Sequence, residues 1–355
     1  MTGTIKSWMS YIWGGLLAGL FLVAGCQSEP LKISPAFYHW QTNFDLAAKE
    51  RATLKQLKVQ TIYPKCFDVD WDFKQDKPVA LASINWTASP NPDIQIVPTV
   101  FITNRTLVQI TPNELPKLAQ KIVDKLAEQT KVVGANIAEY QFDCDWNKTT
   151  QLKYFSLLRL IQERVKEKSI YFSATIRLHQ IKYVEKTGVP PVRRGMLMYY
   201  NMGKVQDFTT ENSILDNDTG RQYLDRLNEY PLPLDVALPL FQWGVLFRND
   251  HMIKLINQLT AADLADRQRF DKIAKNRWRV VKSTYLNGYY LYENDLIRIE
   301  KVEKKNLLKA ATLLQKRLKK ESRNIVFYHL DEAVLQPFDT NFLREVLQVF
   351  SPVEN

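Results

Sequence analysis

The stretch EYQFDCDWN, residues 139–147, alternates polar and apolar side chains and ends in two acids set two positions apart. A period of two is typical of a β-strand and places Asp143 and Asp145 on one face, about 6–7 Å apart at Cα. A helical pattern with one apolar stripe follows over residues 150–168. The stretch therefore predicts a strand–helix unit with carboxylates at the carboxyl end of its strand.

Similar strand-like runs recur along the chain, and helical patterns separate most of them. The eight runs cover residues 37–44, 59–67, 94–102, 137–146, 170–178, 195–202, 234–247 and 324–330. Strand–helix alternation implies parallel pairing, because each crossover needs a helix. Eight such units in about 320 residues predict a closed (β/α)8 TIM barrel rather than an open doubly wound sheet. The first strand is not followed by a GxGxxG motif, which weakens the dinucleotide-binding alternative.

The domain organisation follows from these units. With 355 residues, 45% of them hydrophobic and 24% charged, the composition is that of a globular protein. We expect a signal peptide over residues 1–25, a linker over 26–35 and a barrel domain over 36–355. Residues 68–92 do not fit a minimal barrel, and neither does a larger insertion at about 248–302. Asn287-Gly288 between apolar runs of that insertion predicts a hairpin.

The amino-terminal segment ends in LVAGC, residues 22–26, after an apolar run that is short for a membrane span. This ending resembles the lipobox of bacterial lipoproteins, whose cysteine is lipidated after cleavage. The resemblance implies a lipid on Cys26 that tethers the protein to a membrane in the cell envelope. Gln27 in place of aspartate favours the outer membrane of a Gram-negative bacterium. An ordinary signal peptide or an N-terminal anchor is the alternative.

The formal net charge of +10 is concentrated in one place. Residues 298–323 carry ten Lys or Arg and three Glu, which together give +7. Leucines at helical spacing predict an amphipathic helix with a basic outer face. That face is either simply solvated or contacts anionic lipid or lipopolysaccharide. Nucleic acid is not an expected partner of an exported, tethered chain.

In a barrel of this kind the active site lies at the carboxyl ends of the strands. The polar residues there are Asp143 and Asp145 on strand four, Tyr200 and Asn201 after strand six, and Asp331 after strand eight. We predict that these five form a catalytic site. The alternative for the two acids of strand four is that they end the strand and cap the next helix.

Aromatic residues also cluster near the predicted strand ends. Aromatic rings pack against the apolar faces of sugars, so several at one barrel mouth predict a carbohydrate groove. The candidate substrate-binding residues are Tyr38, Trp40, Trp146, Gln242 and Trp243. Core packing is the alternative for any one of the aromatics. The hairpin tyrosines 285, 289, 290 and 292 would form a wall of the groove or stabilise the hairpin.

Three histidines also fall near strand ends. His39, His179 and His329, with Asp143 and Asp331, would make a metal-dependent hydrolase if they converged. Spacing between strands does not establish convergence, and separately hydrogen-bonded histidines are the alternative. We therefore predict no metal and no cofactor. Cys66 and Cys144 leave one disulfide or two buried thiols as alternatives.

Asp143-x-Asp145 on strand four, together with Met198-x-Tyr200-Asn201 on strand six, resembles the family-18-type glycoside hydrolases, the chitinase-like barrels. The resemblance is closer to uncharacterised bacterial lipoproteins that are related to these barrels. Those enzymes carry Asp-x-Asp-x-Glu on strand four and Met-x-Tyr-Asp on strand six. Here Gln141 stands at the first Asp, Asp145 at the Glu and Asn201 at the last Asp.

The resemblance implies acid-assisted hydrolysis of a polysaccharide or glycan, in which the substrate's own N-acetyl group attacks the anomeric carbon. Asp145 would protonate the leaving oxygen, Asp143 would stabilise the charged intermediate, and Tyr200 would bond the acetamido carbonyl. A different two-carboxylate hydrolysis would use Asp331 as the partner acid. The alternative function is a barrel without catalysis that binds glycan or a protein partner.

Overall fold

A computed structural model describes residues 31–133 and 137–351, and eight parallel strands in it close into a barrel. In chain order, barrel strands one to eight are Ile33–His39, Thr61–Asp72, Thr99–Ile102, Glu139–Asp143, Tyr171–Arg177, Arg194–Met198, Leu234–Pro239 and Arg323–Tyr328. Strand one pairs with both strand eight and strand two, which closes the ring. The predicted (β/α)8 TIM barrel is therefore confirmed. Cys26 and the predicted signal peptide lie outside the described residues.

Helices α1 to α9 surround or follow the strands. Their bounds are Ala48–Gln56, Asn104–Gln109, Leu115–Thr130, Gln151–Val165, Leu178–Lys182, Val184–Thr187, Asn217–Arg221, Lys304–Gln315 and Thr340–Phe350. Between strands two and three the chain forms short strands instead of a helix: Lys77–Leu81 returns antiparallel along the end of strand two. Strand two itself continues to Asp72, into the segment predicted as an insertion.

Strand four shows which side chains face the barrel interior. The Tyr38 hydroxyl, from strand one, donates a hydrogen bond of 2.5 Å to Oε1 of Gln141 on the far side of the ring. Strands one and four are not neighbours, so this bond crosses the interior. Glu139, Gln141 and Asp143 alternate along the strand and share that inward face. Phe142 points the other way and packs on Phe172, 4.9 Å between ring centroids.

The chain leaves the barrel at the end of strand seven. Residues 234–247 were predicted as one strand, but strand seven ends at Pro239 and a new strand begins at Gln242. Pro239 has no N–H to donate to a ladder, so the run breaks there. The insertion consequently starts at residue 242 rather than at about 248.

The insertion is a five-stranded antiparallel sheet with a core of its own. Across the sheet the strands are His251–Asn257, Gln242–Arg248, Leu296–Lys301, Arg277–Val280 and Phe270–Ala274. A separate hairpin, Thr284–Leu286 with Tyr289–Leu291, turns at Asn287-Gly288 as predicted. The strand Leu296–Lys301 leads back to helix α8 and the barrel.

The basic stretch at 298–323 is only partly a helix. Its first residues belong to the strand Leu296–Lys301, and helix α8 begins at Lys304. Lys304 Nζ lies 2.8 Å from a carboxylate oxygen of Asp339, and Lys309 Nζ lies 3.2 Å from one of Asp218. Much of the basic face is thus neutralised by neighbouring carboxylates.

In the two described ranges, no helix combines the length and apolarity that a bilayer crossing requires. Cys66 and Cys144 are buried free thiols. Burial raises the pKa of the Cys66 thiol to about 12.

Candidate functional site

A cavity of about 450 Å³ opens at the carboxyl ends of the barrel strands, and we call it the cleft. Seven of the eight barrel strands, all but strand two, contribute residues at or near their carboxyl ends, and the base of the insertion adds others. Its lining residues are Trp40, Gln41, Phe101, Asp143, Arg177, Tyr200, Asn201, Phe241, Gln242, Trp243, Asn257, Gln258, Tyr328, His329 and Asp331. Seven of the ten predicted catalytic and substrate-binding residues are among them.

Asp143 is the buried acid of the cleft, with 1% of its surface exposed. Its Oδ1 accepts hydrogen bonds from Thr175 Oγ1 at 2.6 Å and from Arg177 Nη2 at 2.9 Å. Its Oδ2 has no partner among the described residues. A buried acceptor without a partner is costly, so this oxygen is suited to accept a hydrogen bond from a ligand or a water.

Arg177 ends strand five beside Asp143 and was not predicted as a site residue. Burial alone would lower the pKa of its guanidinium, but Asp143 together with Tyr200, Asp145 and Tyr38 outweighs burial and raises it. The residue therefore remains a cation. Ser173, Thr175 and Arg177 alternate along strand five as the inward residues of strand four do. The period-two argument, had it been applied to strand five, would have found Arg177.

Asp145 lies beyond the end of strand four and lines a separate pocket of about 290 Å³. Arg177, Tyr200 and Asn201 line this side pocket as well as the cleft. Asp145 is more exposed than Asp143, with 59% of its side chain accessible, and its Oδ1 lies 3.6 Å from His179 Nε2. The two acids of strand four therefore stand on either side of the same three residues.

Tyr200 and Asn201 form the partition between cleft and side pocket. Burial, and then the neighbouring Tyr328, raises the pKa of the Tyr200 phenol well above its usual value, which keeps the hydroxyl protonated as a donor. Its Oη lies 3.6 Å from the weak acceptor Met198 Sδ. Asn201 has φ 55°, in the left-handed region that asparagine tolerates better than most residues.

Aromatic rings form a continuous surface across the cleft. The Trp40 and Tyr328 ring centroids lie 5.3 Å apart, Tyr328 lies 5.5 Å from Phe241, and Phe241 lies 5.1 Å from Trp243. The Trp243 indole N–H donates to Glu300 Oε2 at 2.9 Å. Trp40 and Trp243 thus lie where the sequence places them, while Tyr328 and Phe241 were missed.

Two predicted substrate-binding residues are not in the cleft. Trp146 is fully buried, stacks on Tyr154 and donates its indole N–H to the Thr187 carbonyl at 2.8 Å. The prediction for Trp146 is wrong, because strand four ends at Asp143 and Trp146 turns toward helix α4. Tyr38 is also fully buried and supports the cleft from below through Gln141.

The three histidines do not converge. His179 lies beside Asp145 in the side pocket, whereas His329 lines the cleft. His39 is fully buried, and burial, followed by the neighbouring His329, lowers its pKa to about 4. Within residues 31–133 and 137–351, no group of three potential ligands is placed to hold a metal ion. The residues on which the metal-dependent hypothesis depends are therefore not brought together.

The hairpin tyrosines do not wall the cleft. None of them lines either the cleft or the side pocket. Tyr285, Tyr290 and Tyr292 are exposed and contact one another, with ring centroids 4.9 and 5.0 Å apart. Their role in the described structure is cross-strand packing on the hairpin.

The fold is similar to that of several chitinase-like barrels of known structure. The spore cortex-lytic enzyme SleL of Bacillus megaterium aligns at 13% identity with a TM-score of 0.52, over 92% of this chain and 76% of that one. The group IV chitinase of Ostrinia furnacalis aligns at 9% identity with a TM-score of 0.53, over 91% of this chain and 100% of that one. The class V chitinase of Nicotiana tobaccum aligns at 10% identity with a TM-score of 0.51, over 91% of this chain and 99% of that one. A mutant of this chitinase has been solved in complex with NAG4.

At these identities the likeness concerns the fold, and the predicted resemblance to family-18-type barrels is confirmed at that level. No protein-family model matches the sequence, and no curated protein matches it either.

Proposed function

We propose that this protein binds an oligosaccharide of N-acetylated amino sugars in the cleft and cleaves it by acid-assisted hydrolysis. The unpaired Oδ2 of Asp143, buried within an aromatic cleft, is the observation that carries the proposal. Aromatic walls suit sugar rings, and a fixed acceptor suits a sugar amide N–H. The structural neighbours supply the class: one is a spore cortex-lytic enzyme, and another has been solved with NAG4.

In the proposed reaction, Asp143 Oδ2 accepts the acetamido N–H of the substrate while the Tyr200 hydroxyl donates to the acetamido carbonyl. The carbonyl oxygen attacks the anomeric carbon, and Asp145 gives its proton to the departing glycosidic oxygen. Water then opens the cyclic intermediate and returns a proton to Asp145. Arg177 holds Asp143 in place through its 2.9 Å hydrogen bond.

The second candidate is a barrel that binds glycan without cleaving it. It is favoured by the position of Asp145, whose side chain is one methylene shorter than glutamate and lies in the side pocket. A displacement of about 1 Å in a catalytic group can cost 100-fold in rate. Asp331 is the other carboxylate of the cleft, and Gln41 Nε2 donates to it at 2.6 Å.

Binding and product formation with chitin oligosaccharides separate the two candidates. We expect Asp143→Ala to lower the affinity and the rate of product formation by at least 100-fold each. Asp145→Asn should abolish cleavage while the affinity stays within threefold of wild type. Asp331→Asn is the control for the second carboxylate. Wild-type binding without any product would establish the binding-only alternative. No binding at all, in a protein that unfolds cooperatively, would refute both.

We also propose that the protein is an envelope lipoprotein of the outer membrane of a Gram-negative bacterium, tethered by a lipid on Cys26. The LVAGC ending of the apolar run supports this. Cys26→Ala should abolish incorporation of labelled palmitate and release the protein from the membrane fraction. Continued labelling of that variant would contradict the proposal.

A further inference from the structure

A cavity larger than the cleft lies elsewhere in the described part of the molecule. A pocket of about 680 Å³, which we call the lateral pocket, lies between helix α1 and the loop at 88–94. It shares no lining residue with the cleft or the side pocket. The proposed glycan chemistry therefore does not account for it.

The floor of the lateral pocket is apolar. Phe44, Leu54, Val59 and Ile94 are buried residues that line it, and partly buried Leu46 adds to them. An apolar cavity of this size accommodates an alkyl chain, because filling it removes hydrocarbon surface from water.

The rim of the lateral pocket is cationic. Arg51 and Lys55, which are one turn apart on helix α1, line it together with Lys58, which lies just after the end of that helix. Among the described residues, none of the three has a carboxylate within 4.0 Å. The lysines of helix α8 differ, since Lys304 and Lys309 are paired. Two acids, Asp45 and Asp93, also line the pocket, so cations outnumber acids by three to two.

The amino-terminal end of the barrel domain reaches the same place. Lys32 Nζ donates a hydrogen bond of 3.5 Å to Oε1 of Gln60, which lines the lateral pocket. Lys32 follows Cys26 by six residues, a stretch of chain that spans at most about 20 Å when extended. A lipid on Cys26 would therefore hold this side of the barrel close to a bilayer surface.

We propose that the lateral pocket binds an anionic phospholipid, with an acyl chain on its apolar floor and the phosphate at the rim formed by Arg51, Lys55 and Lys58. The site is independent of the cleft, and its failure leaves the proposed glycan chemistry untouched.

The test uses the full chain carrying Cys26→Ala, so that no covalent lipid competes. Calorimetric titration compares dihexanoylphosphatidylglycerol, dihexanoylphosphatidylcholine and inorganic phosphate. We expect the phosphatidylglycerol to bind at least tenfold more tightly than the phosphatidylcholine. Phosphate alone should not bind measurably. Equal affinity for the two lipids, or binding of phosphate alone, would overturn the proposal.

Two sets of variants locate the site. Lys55→Gln/Lys58→Gln should weaken binding of the phosphatidylglycerol by about 30-fold, because each lost charge removes about 1 kcal/mol of binding free energy. The control Lys117→Gln/Lys121→Gln removes the same charge from exposed positions of helix α3 and should change affinity by less than twofold. Ala88→Trp, at an exposed lining position, should fill the pocket and weaken binding at unchanged charge. Equal losses in the test and control variants, or no loss with Ala88→Trp, would refute the assignment.

Discussion

Two buried aspartates at opposite ends of the barrel show how the same side chain serves two purposes. Asp235 lies near the amino-terminal end, where Oδ2 is 3.2 Å from Arg194 Nε and Oδ1 accepts from the Asn324 N–H at 2.7 Å. Asp143 lies at the carboxyl end and uses only one of its two oxygens. Both are almost fully buried.

The difference lies in how completely each carboxylate is satisfied. At the amino-terminal end both oxygens of Asp235 have partners, so the group contributes only to the fold. At the carboxyl end Arg177 leaves one oxygen of Asp143 open toward the cleft. A barrel can therefore bury an acid at either end, but only an incompletely bonded one retains the capacity to bind a ligand.

The largest expected effect comes from removing the arginine partner at each end. Arg177→Ala and Arg194→Ala each leave a buried carboxylate without its cation, and we expect each to lower the free energy of unfolding by about 5 kcal/mol. Urea unfolding measures this. Only Arg177→Ala should also weaken oligosaccharide binding. Equal loss of binding in both variants would mean that the two ends do not differ in function.

The second test uses the pKa of Asp235, which burial raises from 3.8 to about 7. The folded state then binds more protons than the unfolded state between these values. Stability is therefore lost as pH rises through this window, by about 4 kcal/mol from this residue. Asp235→Asn lacks this loss, so its stability relative to wild type should increase from pH 4 to pH 7 and then level off. A constant difference in urea midpoint would contradict the assignment.

His39, at the carboxyl end of strand one, should have the opposite effect, a loss of stability as the pH falls. Burial lowers its pKa from 6.5 to about 4, so the unfolded state binds the extra proton between these values. Stability from this residue is present above pH 6.5 and falls by about 3 kcal/mol as pH drops to 4. His39→Phe should remove this acid sensitivity, as unfolding at pH 4 and pH 7 would show. An unchanged pH profile would mean that His39 is not held neutral.

The smallest effect concerns backbone conformation. Asn201 at the cleft and Ser169 before strand five have φ values of 55° and 53°. Glycine removes the left-handed penalty, so each replacement should change stability by less than about 1 kcal/mol. Asn201→Gly should nevertheless weaken oligosaccharide binding, whereas Ser169→Gly should not. The comparison fails if both variants bind like the wild type.

Much of the barrel was predictable because its signals are local. Alternation within one strand placed Asp143 inward, and the carboxyl-end rule placed it at a mouth. Trp146 was assigned to the groove only because it follows strand four, whereas alternation puts it on the face opposite Asp143, where it packs on Tyr154 of helix α4. The break after Pro239 was missed because the flanking residues are equally apolar, and only pairing partners reveal where one sheet ends.

Arg177 shows what a single strand does not reveal. Its importance comes from Asp143 on the neighbouring strand, and the two positions are 34 residues apart in sequence. Likewise, the sequence left open whether the basic face of helix α8 is solvated or binds lipid, and it did not reveal the acids that pair with Lys304 and Lys309. Contacts between distant segments depend on the fold, so patterns along the chain do not predict them.

The bond from Trp243 to Glu300 has a consequence for the entropy of binding. Glu300 is fully buried and paired with the equally buried Arg298, so the indole of Trp243 is held by a fixed partner. Ordering a mobile side chain at a binding surface costs about 0.5–1.5 kcal/mol. That loss of freedom already occurs when the chain folds. If the cleft binds a sugar as proposed, the sugar would meet a ring with its orientation already set, and more of the contact energy would remain as affinity.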